Sequence, residues 1–165
     1  MKLLTFIYSH EQIFRAVKQE SSLLAVRKQD KDGNPLFEQL VFDEAYLPKF
    51  RELFFNAQGQ VAPALAAYQK NIPAGPSYFE RADFTKDRDY IVYLGMDDDF
   101  NMHIARPVED YIFHFIKDRI MYEWLRNKSP DDASVYLAAT EKYRTDIIIG
   151  LAQKINVRRR KGYWF

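Results

Sequence analysis

A strip of three polar side chains is the grouping whose residue types could carry chemistry. Asp110, His114 and Asp118 follow one another at intervals of four residues, which places them on one face of a helix. Such a carboxylate–imidazole–carboxylate strip can bind a metal ion or tune a general base. The strip lacks the HExxH spacing of zinc hydrolases. A metal hydrolase is therefore one hypothesis, and a polar strip on a mostly buried helix is the alternative.

A second acidic group imitates a calcium-binding loop without completing it. Asp30, Asp32 and Asn34 have the spacing of the first EF-hand ligands. Pro35 stands where that loop needs glycine, and Val41 stands where it needs its closing glutamate. The segment therefore predicts a polar turn.

Other chemical signatures are weak or missing from the sequence. Three consecutive aspartates at 97–99 could hold a divalent ion, but such runs more often cap a helix or stay solvated. The chain has no cysteine, which excludes disulfides, thiolate catalysis and cysteine zinc sites. It has no GxSxG motif, and its six glycines are scattered, so no phosphate-binding loop is indicated. We therefore predict no catalytic residues, no metal and no cofactor.

The segment 158–165 combines concentrated positive charge with large aromatic rings. Chain ends usually fray and stay polar, so we expect these rings to be received by the protein's own body or by another molecule. Tyrosine, tryptophan and arginine are frequent hot spots of protein interfaces. The same residue types neutralise phosphates and stack on bases. A protein partner is the favoured interpretation; nucleic acid and a self-docked or disordered end remain open. The candidate partner-binding residues are Arg158, Arg159, Arg160, Lys161, Tyr163, Trp164 and Phe165.

The composition indicates one globular domain with a substantial core. The 165 residues are 47% hydrophobic and 16% aromatic, which argues against disorder. The net charge is +1, and without the cations at 158–161 the remaining 20 basic residues face 23 acidic ones. The body is thus mildly acidic. The apolar run at the N-terminus turns polar at Ser9, and no stretch has the length of a membrane span. We expect a soluble intracellular protein.

The hydrophobic pattern predicts helices around a small β element. A long helix over about 44–70 should kink or break at Pro63, which cannot donate to the carbonyl of Gly59. The strands of an antiparallel hairpin are expected over 78–84 and 90–96. Residues 2–8 should form a strand or a lead into a helix. A helix over about 9–19 is expected to be capped by Ser9, with a resumption through Leu23, Leu24 and Val26 left open. The other expected segments are a turn over 30–35 and a short extended segment over 36–42.

The centre of the fold should be the helix over 108–125, which is apolar around most of its circumference. Ser129, Pro130 and two aspartates then predict the start of a last helix that runs to about 154. The fold class is therefore mainly α, an antiparallel helical bundle with a small antiparallel β-hairpin insertion. Residues 1–157 should form a single mainly helical domain with the hairpin at about 78–96. Residues 158–165 should form a basic-aromatic C-terminal arm.

The pattern of helices and tail resembles that of small virion structural proteins of tailed phages and prophages, of the head–tail connector (neck) type. The resemblance covers about two thirds of the chain, and the hairpin matches least well. The segments that carry it are Phe100-Asn101-Met102, Val108-Glu109-Asp110-Tyr111-Ile112, Trp124-Leu125, Asn127, the Ser129-Pro130-Asp131-Asp132 start, the amphipathic last helix, the basic-aromatic end and the stretch 40–57.

The resemblance implies a non-enzymatic virion assembly protein. Connector-type proteins form rings between portal and tail, and their extended termini reach adjacent subunits. They carry no catalytic residues. The expected partners are therefore the protein itself, as a homo-oligomer such as a ring, and other virion proteins such as a portal. The expected location is the virion, and the cytoplasm of the host bacterium before assembly. The alternative function is a nucleic-acid-binding accessory protein that uses the same tail.

Overall fold

The fold is mainly helical with a small antiparallel sheet, as the sequence predicts. The computed structural model describes residues 1–34, 36–69 and 85–155. Single turns of 3-10 helix at Glu44–Tyr46 and Met102–Ile104 precede two of the longer helices. In chain order the main elements are β1 (Lys2–Tyr8), α1 (His10–Arg27), α2 (Phe37–Leu40), α3 (Leu47–Gln69), β2 (Tyr90–Met96), α4 (Ala105–Leu125) and α5 (Pro130–Leu151).

The sheet joins the first described element to the middle of the chain. β1 and β2 are antiparallel, with Lys2 opposite Met96 and Tyr8 opposite Tyr90. Of the two alternatives for residues 2–8, the strand is therefore confirmed. The predicted strand over 90–96 is also confirmed, and its partner in the described part of the chain is β1. The other predicted hairpin strand, 78–84, lies outside the described residues.

α1 is longer than the helix predicted over 9–19. Ser9 caps it, because the Ser9 side chain accepts from the backbone N of Gln12 at 3.4 Å. The helix continues to Arg27 without interruption. Val17, Ser21 and Ala25 are buried at intervals of four residues along it, so one face stays against the core throughout.

The segment 36–42, which we expected to be extended, contains a helical turn instead. The backbone N of Leu40 donates to the carbonyl of Leu36, and that of Val41 donates to Phe37. A residue distant in sequence stabilises this turn, because Trp124 Nε1 donates to the carbonyl of Leu40 at 2.8 Å. A short apolar run cannot reveal such a distant partner.

The polar turn after α1 is confirmed over its described residues, 30–34. Asp30 Oδ1 accepts from the backbone N of Asp32 at 2.9 Å and of Asn34 at 2.8 Å. Gly33 has a φ of +81°, a conformation that glycine adopts without strain. The hydrogen bonds from Asn34 and from the turn backbone lower the pKa of Asp30. Its carboxylate therefore stabilises the turn.

α3 continues through Pro63, so of the predicted kink or break the break is wrong. Ala57 and Val61 before the proline and Leu65 after it are all buried. Tertiary packing on both sides thus holds the helix together despite the hydrogen bond that Pro63 cannot donate.

α4 is the central helix, as predicted, and contacts α1, α3 and α5. α5 packs along α4 as its antiparallel neighbour and ends at Leu151, three residues before the predicted end. Pro130 occupies the first turn of α5 as expected, but Ser129 makes no capping bond to the backbone. The Ser129 hydroxyl donates to the carboxylate of Asp132 instead.

Candidate functional site

The residues predicted to bind a partner, in the segment 158–165, lie outside the described residues. The described chain ends at Ile155, whose backbone N donates to the carbonyl of Asp99 at 2.8 Å. Lys154 Nζ lies 3.3 Å from Asp97 Oδ2 and 3.1 Å from Asp99 Oδ2. Hydrogen bonds to these two carboxylates raise the pKa of Lys154. The chain therefore leaves α5 beside the end of β2.

The aspartates at 97–99 contact cations of the chain itself. Lys154 lies between Asp97 and Asp99, and the ammonium group of Met1 contacts Asp98. A hydrogen bond from that ammonium lowers the pKa of Asp98. Within residues 1–34, 36–69 and 85–155, no three histidine or carboxylate side chains are grouped as a metal ion would require. The triplet thus has a structural role at the end of the sheet.

The structure divides the strip of Asp110, His114 and Asp118. Asp110 is exposed, with Arg106 Nε 3.5 Å from its Oδ1. The His114 ring stacks on Tyr143, with 5.4 Å between ring centroids. Asp118 is buried at the opposite end of the strip, next to Lys117. The three side chains therefore have separate surroundings and do not converge on one point.

Asp118 belongs instead to an ion cluster between α1, α4 and α5. Lys117 Nζ donates to Glu20 Oε2 at 2.8 Å, and the Tyr136 hydroxyl donates to Glu20 Oε1 at 3.1 Å. Lys117 Nζ also lies 3.2 Å from Asp118 Oδ1, close enough for an ion pair but without hydrogen-bond geometry. Glu20 and Tyr136 cannot be found from the sequence, because no local pattern links residues on three different helices.

Burial and charge act against each other in this cluster. Burial raises the pKa of Asp118, and the nearby Lys117 ammonium only partly offsets it. Burial also disfavours the charge on Lys117, but the hydrogen bond to Glu20 and the two carboxylates outweigh it and raise the pKa of Lys117. Glu20 and Lys117 therefore form the strong pair, and it fastens α1 to the central helix.

A buried histidine marks the start of α1. The His10 backbone N donates to Asp89 Oδ1 at 2.9 Å, and its Nε2 lies 3.5 Å from Asp87 Oδ1. Arg51 Nε donates to the same Asp87 oxygen at 2.7 Å. Burial is the main cause that lowers the pKa of His10. The contacts connect α1, α3 and the loop before β2, so this group has a structural role.

The outer face of the sheet exposes apolar side chains in a contiguous group. Leu3 and Ile7 on β1 are 57% and 59% exposed, and Ile91 and Tyr93 on β2 are 44% and 46% exposed. Ile7 lies directly opposite Ile91, and Thr5 lies opposite Tyr93. We call Leu3, Thr5, Ile7, Ile91 and Tyr93 the sheet face. Among the described residues the sheet has only these two strands, and unpaired strand edges readily pair with another chain.

The opposite side of the sheet is buried, so the sheet face is not required for the core. The residues that alternate with it and point inward are Leu4, Phe6, Tyr8, Val92, Leu94 and Met96. Isolated apolar residues on a surface are ordinary, but a cross-strand group of four large ones is not.

A polar cleft of about 350 Å³ adjoins the Ile7 end of the sheet face. The Tyr8 hydroxyl donates to the carbonyl of Glu109 at 3.2 Å, and burial followed by the charge of Glu109 raises the pKa of Tyr8. The lining residues are Ile7, Tyr8, Gln12, Arg106, Glu109, Asp110, Phe113 and His114.

The cleft has an excess of negative charge. Arg106 Nε is 3.9 Å from Glu109 Oε2 and 3.5 Å from Asp110 Oδ1, so one exposed guanidinium is shared by two carboxylates at long range. Two of the three residues of the hypothetical metal strip, Asp110 and His114, line this cleft. The arrangement can attract a cationic group beside an apolar surface.

No protein-family model, curated protein or solved structure matches this chain. Among the helices of the described residues, none has the length and apolarity that a membrane crossing requires.

Proposed function

We propose that this protein is a non-enzymatic assembly subunit of the head–tail connector type, which oligomerises and docks on other virion proteins. The observation that supports the proposal best is the sheet face, where Leu3, Ile7, Ile91 and Tyr93 are all exposed. Contiguous apolar groups of this kind mark sites of protein–protein interaction in soluble proteins. The fold buries the other side of the same sheet, so the exposed side is available for association.

The segment 158–165 is the second part of the proposal. Its four cations and three aromatic rings have the composition of an interface anchor. The body of the chain is mildly acidic, so attraction between the arm and another copy steers association and weakens as salt screens it. An arm that each copy both donates and receives yields many weak contacts in a closed assembly.

The nucleic-acid alternative uses the same tail but gains nothing from the described surface. The cleft beside the sheet face carries two carboxylates and one guanidinium, which disfavours the approach of phosphates. We therefore keep this alternative as an outcome of the test.

The test is the mass in solution of the full chain and of a variant that lacks residues 158–165, measured by light scattering over a range of concentrations. We expect the full chain to form species larger than its 19.6 kDa monomer, with less association at high salt. The shortened variant should stay monomeric. Equal association of both variants, or a full chain that stays monomeric throughout, would contradict the proposal.

The same two proteins distinguish the alternative function. Nucleic-acid binding would replace assembly as the proposed function if the full chain retains DNA or RNA on filters at low salt but does not self-associate. The shortened variant should then lose this retention. Absence of retention together with self-association would support the assembly subunit.

A further inference from the structure

We infer that the sheet face is the receiving site for residues 158–165 of a second copy, and that the cleft takes the cations of that arm. The inference rests on the proposed function and names the surface through which it works. In this arrangement the cations of the arm lie at Glu109 and Asp110, and its aromatic rings cover Ile91, Tyr93 and Leu3.

The size of the face favours an extended segment over a whole domain. Each strand has seven residues, so the sheet is about 20 Å long and, with two strands, about 10 Å wide. A stable interface between two folded surfaces needs about 800 Å² per partner, whereas this face offers only about 200 Å². A single extended segment of six to eight residues matches it.

The charges favour the basic arm over other segments. Glu109 and Asp110 share Arg106 at 3.9 and 3.5 Å, while Asp97 and Asp99 at the other end of the sheet already hold Lys154 at 3.3 and 3.1 Å. The weakly neutralised carboxylates are therefore at the Ile7 end. Cations that arrive there replace a long contact by close, charge-assisted hydrogen bonds.

The spacing within the arm agrees with this orientation. Trp164 and Phe165 follow Lys161 by three and four residues, which is about 10–13 Å of extended chain. Ile7 and Leu3 are also four residues apart on β1. Cations seated in the cleft thus bring the rings over the apolar residues.

The geometry favours an arm from another copy. The described chain ends at Ile155 beside Asp99, just beyond the Met96 end of the sheet. From there an extended arm of the same chain carries its cations about 10–20 Å along the apolar sheet face and its rings about 30 Å away, past that face, so the rings would not cover the apolar residues. An arm from a second copy can enter from the cleft end.

The donor and the receiver are different surfaces, so the contact is heterologous and builds rings or chains of subunits. This permits a test with two full-length variants. The donor variant, W164A with F165A, loses its arm anchors. The receiver variant, I91T with Y93T, loses apolar area but places β-branched threonines, which suit a strand, at both positions. The control, V26T with V135T, replaces a methyl group by a hydroxyl group on two other exposed residues.

The measurement is sedimentation velocity of each variant and of an equimolar mixture. We expect each variant alone to need a concentration at least about tenfold higher than the wild type for half-association, and the control to behave as the wild type. The mixture should yield a 1:1 heterodimer, because the receiver variant still donates its arm to the intact face of the donor variant.

Two other results overturn the inference and separate it from the proposed function. If the wild type and the receiver variant associate equally, the receiving surface is elsewhere, although assembly itself stands. If the wild type does not associate, the proposed function fails and the inference with it. Should circular dichroism show that the receiver variant is unfolded, E109Q with D110N on the surface of α4 replaces it, with the same expected loss.

Discussion

At the residue scale, the ion cluster between α1, α4 and α5 is the principal polar contact that joins these three helices. The Lys117 side chain is only 13% exposed, and Glu20 is its close partner. A buried ammonium group is costly unless it is paired, and Asp118 is placed too poorly to replace Glu20 as a hydrogen-bond acceptor. Stability therefore depends on Glu20, which lies 97 positions from Lys117 in sequence.

We expect Glu20→Gln to lower the free energy of unfolding by about 1–3 kcal/mol, because Lys117 keeps Asp118 as a nearby charge but loses its hydrogen-bonded carboxylate. The amide oxygen can still accept from the Tyr136 hydroxyl. Urea unfolding measures the change. The control is Glu11→Gln, which removes the exposed Glu11–Arg15 pair and should cost less than about 1 kcal/mol. Equal effects of the two substitutions would show that the cluster adds no stability.

His10 should make the fold sensitive to mild acid. Burial lowers the pKa of His10 in the folded state, so the unfolded chain binds the proton more readily as pH falls below about 6.5. The free energy of unfolding therefore decreases from its level at neutral pH as the pH falls below this value. Asp87 and Asp89 attract the protonated ring and Arg51 opposes it, and burial prevails.

The check is urea unfolding of the wild type and His10→Gln at about pH 7 and about pH 5.5. We expect the wild type to lose more stability than the variant over this interval. The pKa of Asp87 is lowered by its hydrogen bond to Arg51, so its contribution is lost only below about pH 4 and does not enter the comparison. The same loss in both proteins would mean that His10 does not titrate as described.

At the element scale, two helical glycines have opposite surroundings. A Cβ on Gly150 of α5 would lie 2.6 Å from Val108 Cγ2 of α4, whereas a Cβ on Gly59 of α3 would meet nothing within 4 Å. Gly150 therefore permits the close approach of α4 and α5. Gly59 only weakens its helix.

We expect Gly150→Ala to lower the free energy of unfolding by about 1–3 kcal/mol, because Val108 is β-branched and cannot easily move aside. Gly59→Ala serves as the matched substitution and should raise stability by about 0.5–1 kcal/mol. Thermal and urea unfolding of both variants measure the difference. A stabilised Gly150→Ala protein would mean that α4 and α5 are farther apart than described.

Local sequence signals predicted the elements whose causes are local. The apolar circumference of 108–125 indicated the central helix, and Pro130 with two aspartates indicated the start of α5. The turn at Asp30 and Gly33 follows from residue types that bond to their own backbone. The sequence prediction was wrong where a contact with a residue distant in sequence stabilises the structure. The helical turn at Leu40 is an example, because its carbonyl accepts a hydrogen bond from Trp124 Nε1.

The candidate site shows the same division. Alternation along β2 reveals two faces, but both are apolar, so the sequence cannot tell that Ile91 and Tyr93 face outward. The pairing of β1 with β2 is equally hidden, because no local pattern names a strand's partner. Asp110 and His114 were predicted to share a helix face, and both line the cleft, while Asp118 on the same strip is buried among other partners.

At the scale of the whole molecule, the described helices support the sheet and leave the sheet face exposed. α4 holds the core, α5 returns the chain to the end of the sheet, and β1 with β2 covers the core with one face and exposes the other. The sheet face and the segment 158–165 are complementary in size and polarity. The claim that follows is that subunits join when the arm of one lies on the sheet of another.

The absence of cysteine from the sequence allows a direct measurement of that contact. Thr5 lies on the sheet face opposite Tyr93, and Gly162 lies between the cations and the rings of the arm, so T5C and G162C preserve all apolar anchors. The two single-cysteine proteins are mixed, oxidised and analysed by non-reducing electrophoresis and mass spectrometry. A mixture of G162C with V135C, exposed on α5, is the control.

We expect a disulfide-linked heterodimer of T5C and G162C in clear excess over the control mixture. Two results would contradict the proposed contact. The first is disulfide linkage of T5C with G162C that is no greater than that of V135C with G162C. The second is a double variant, T5C/G162C, that forms its disulfide within one chain and stays monomeric.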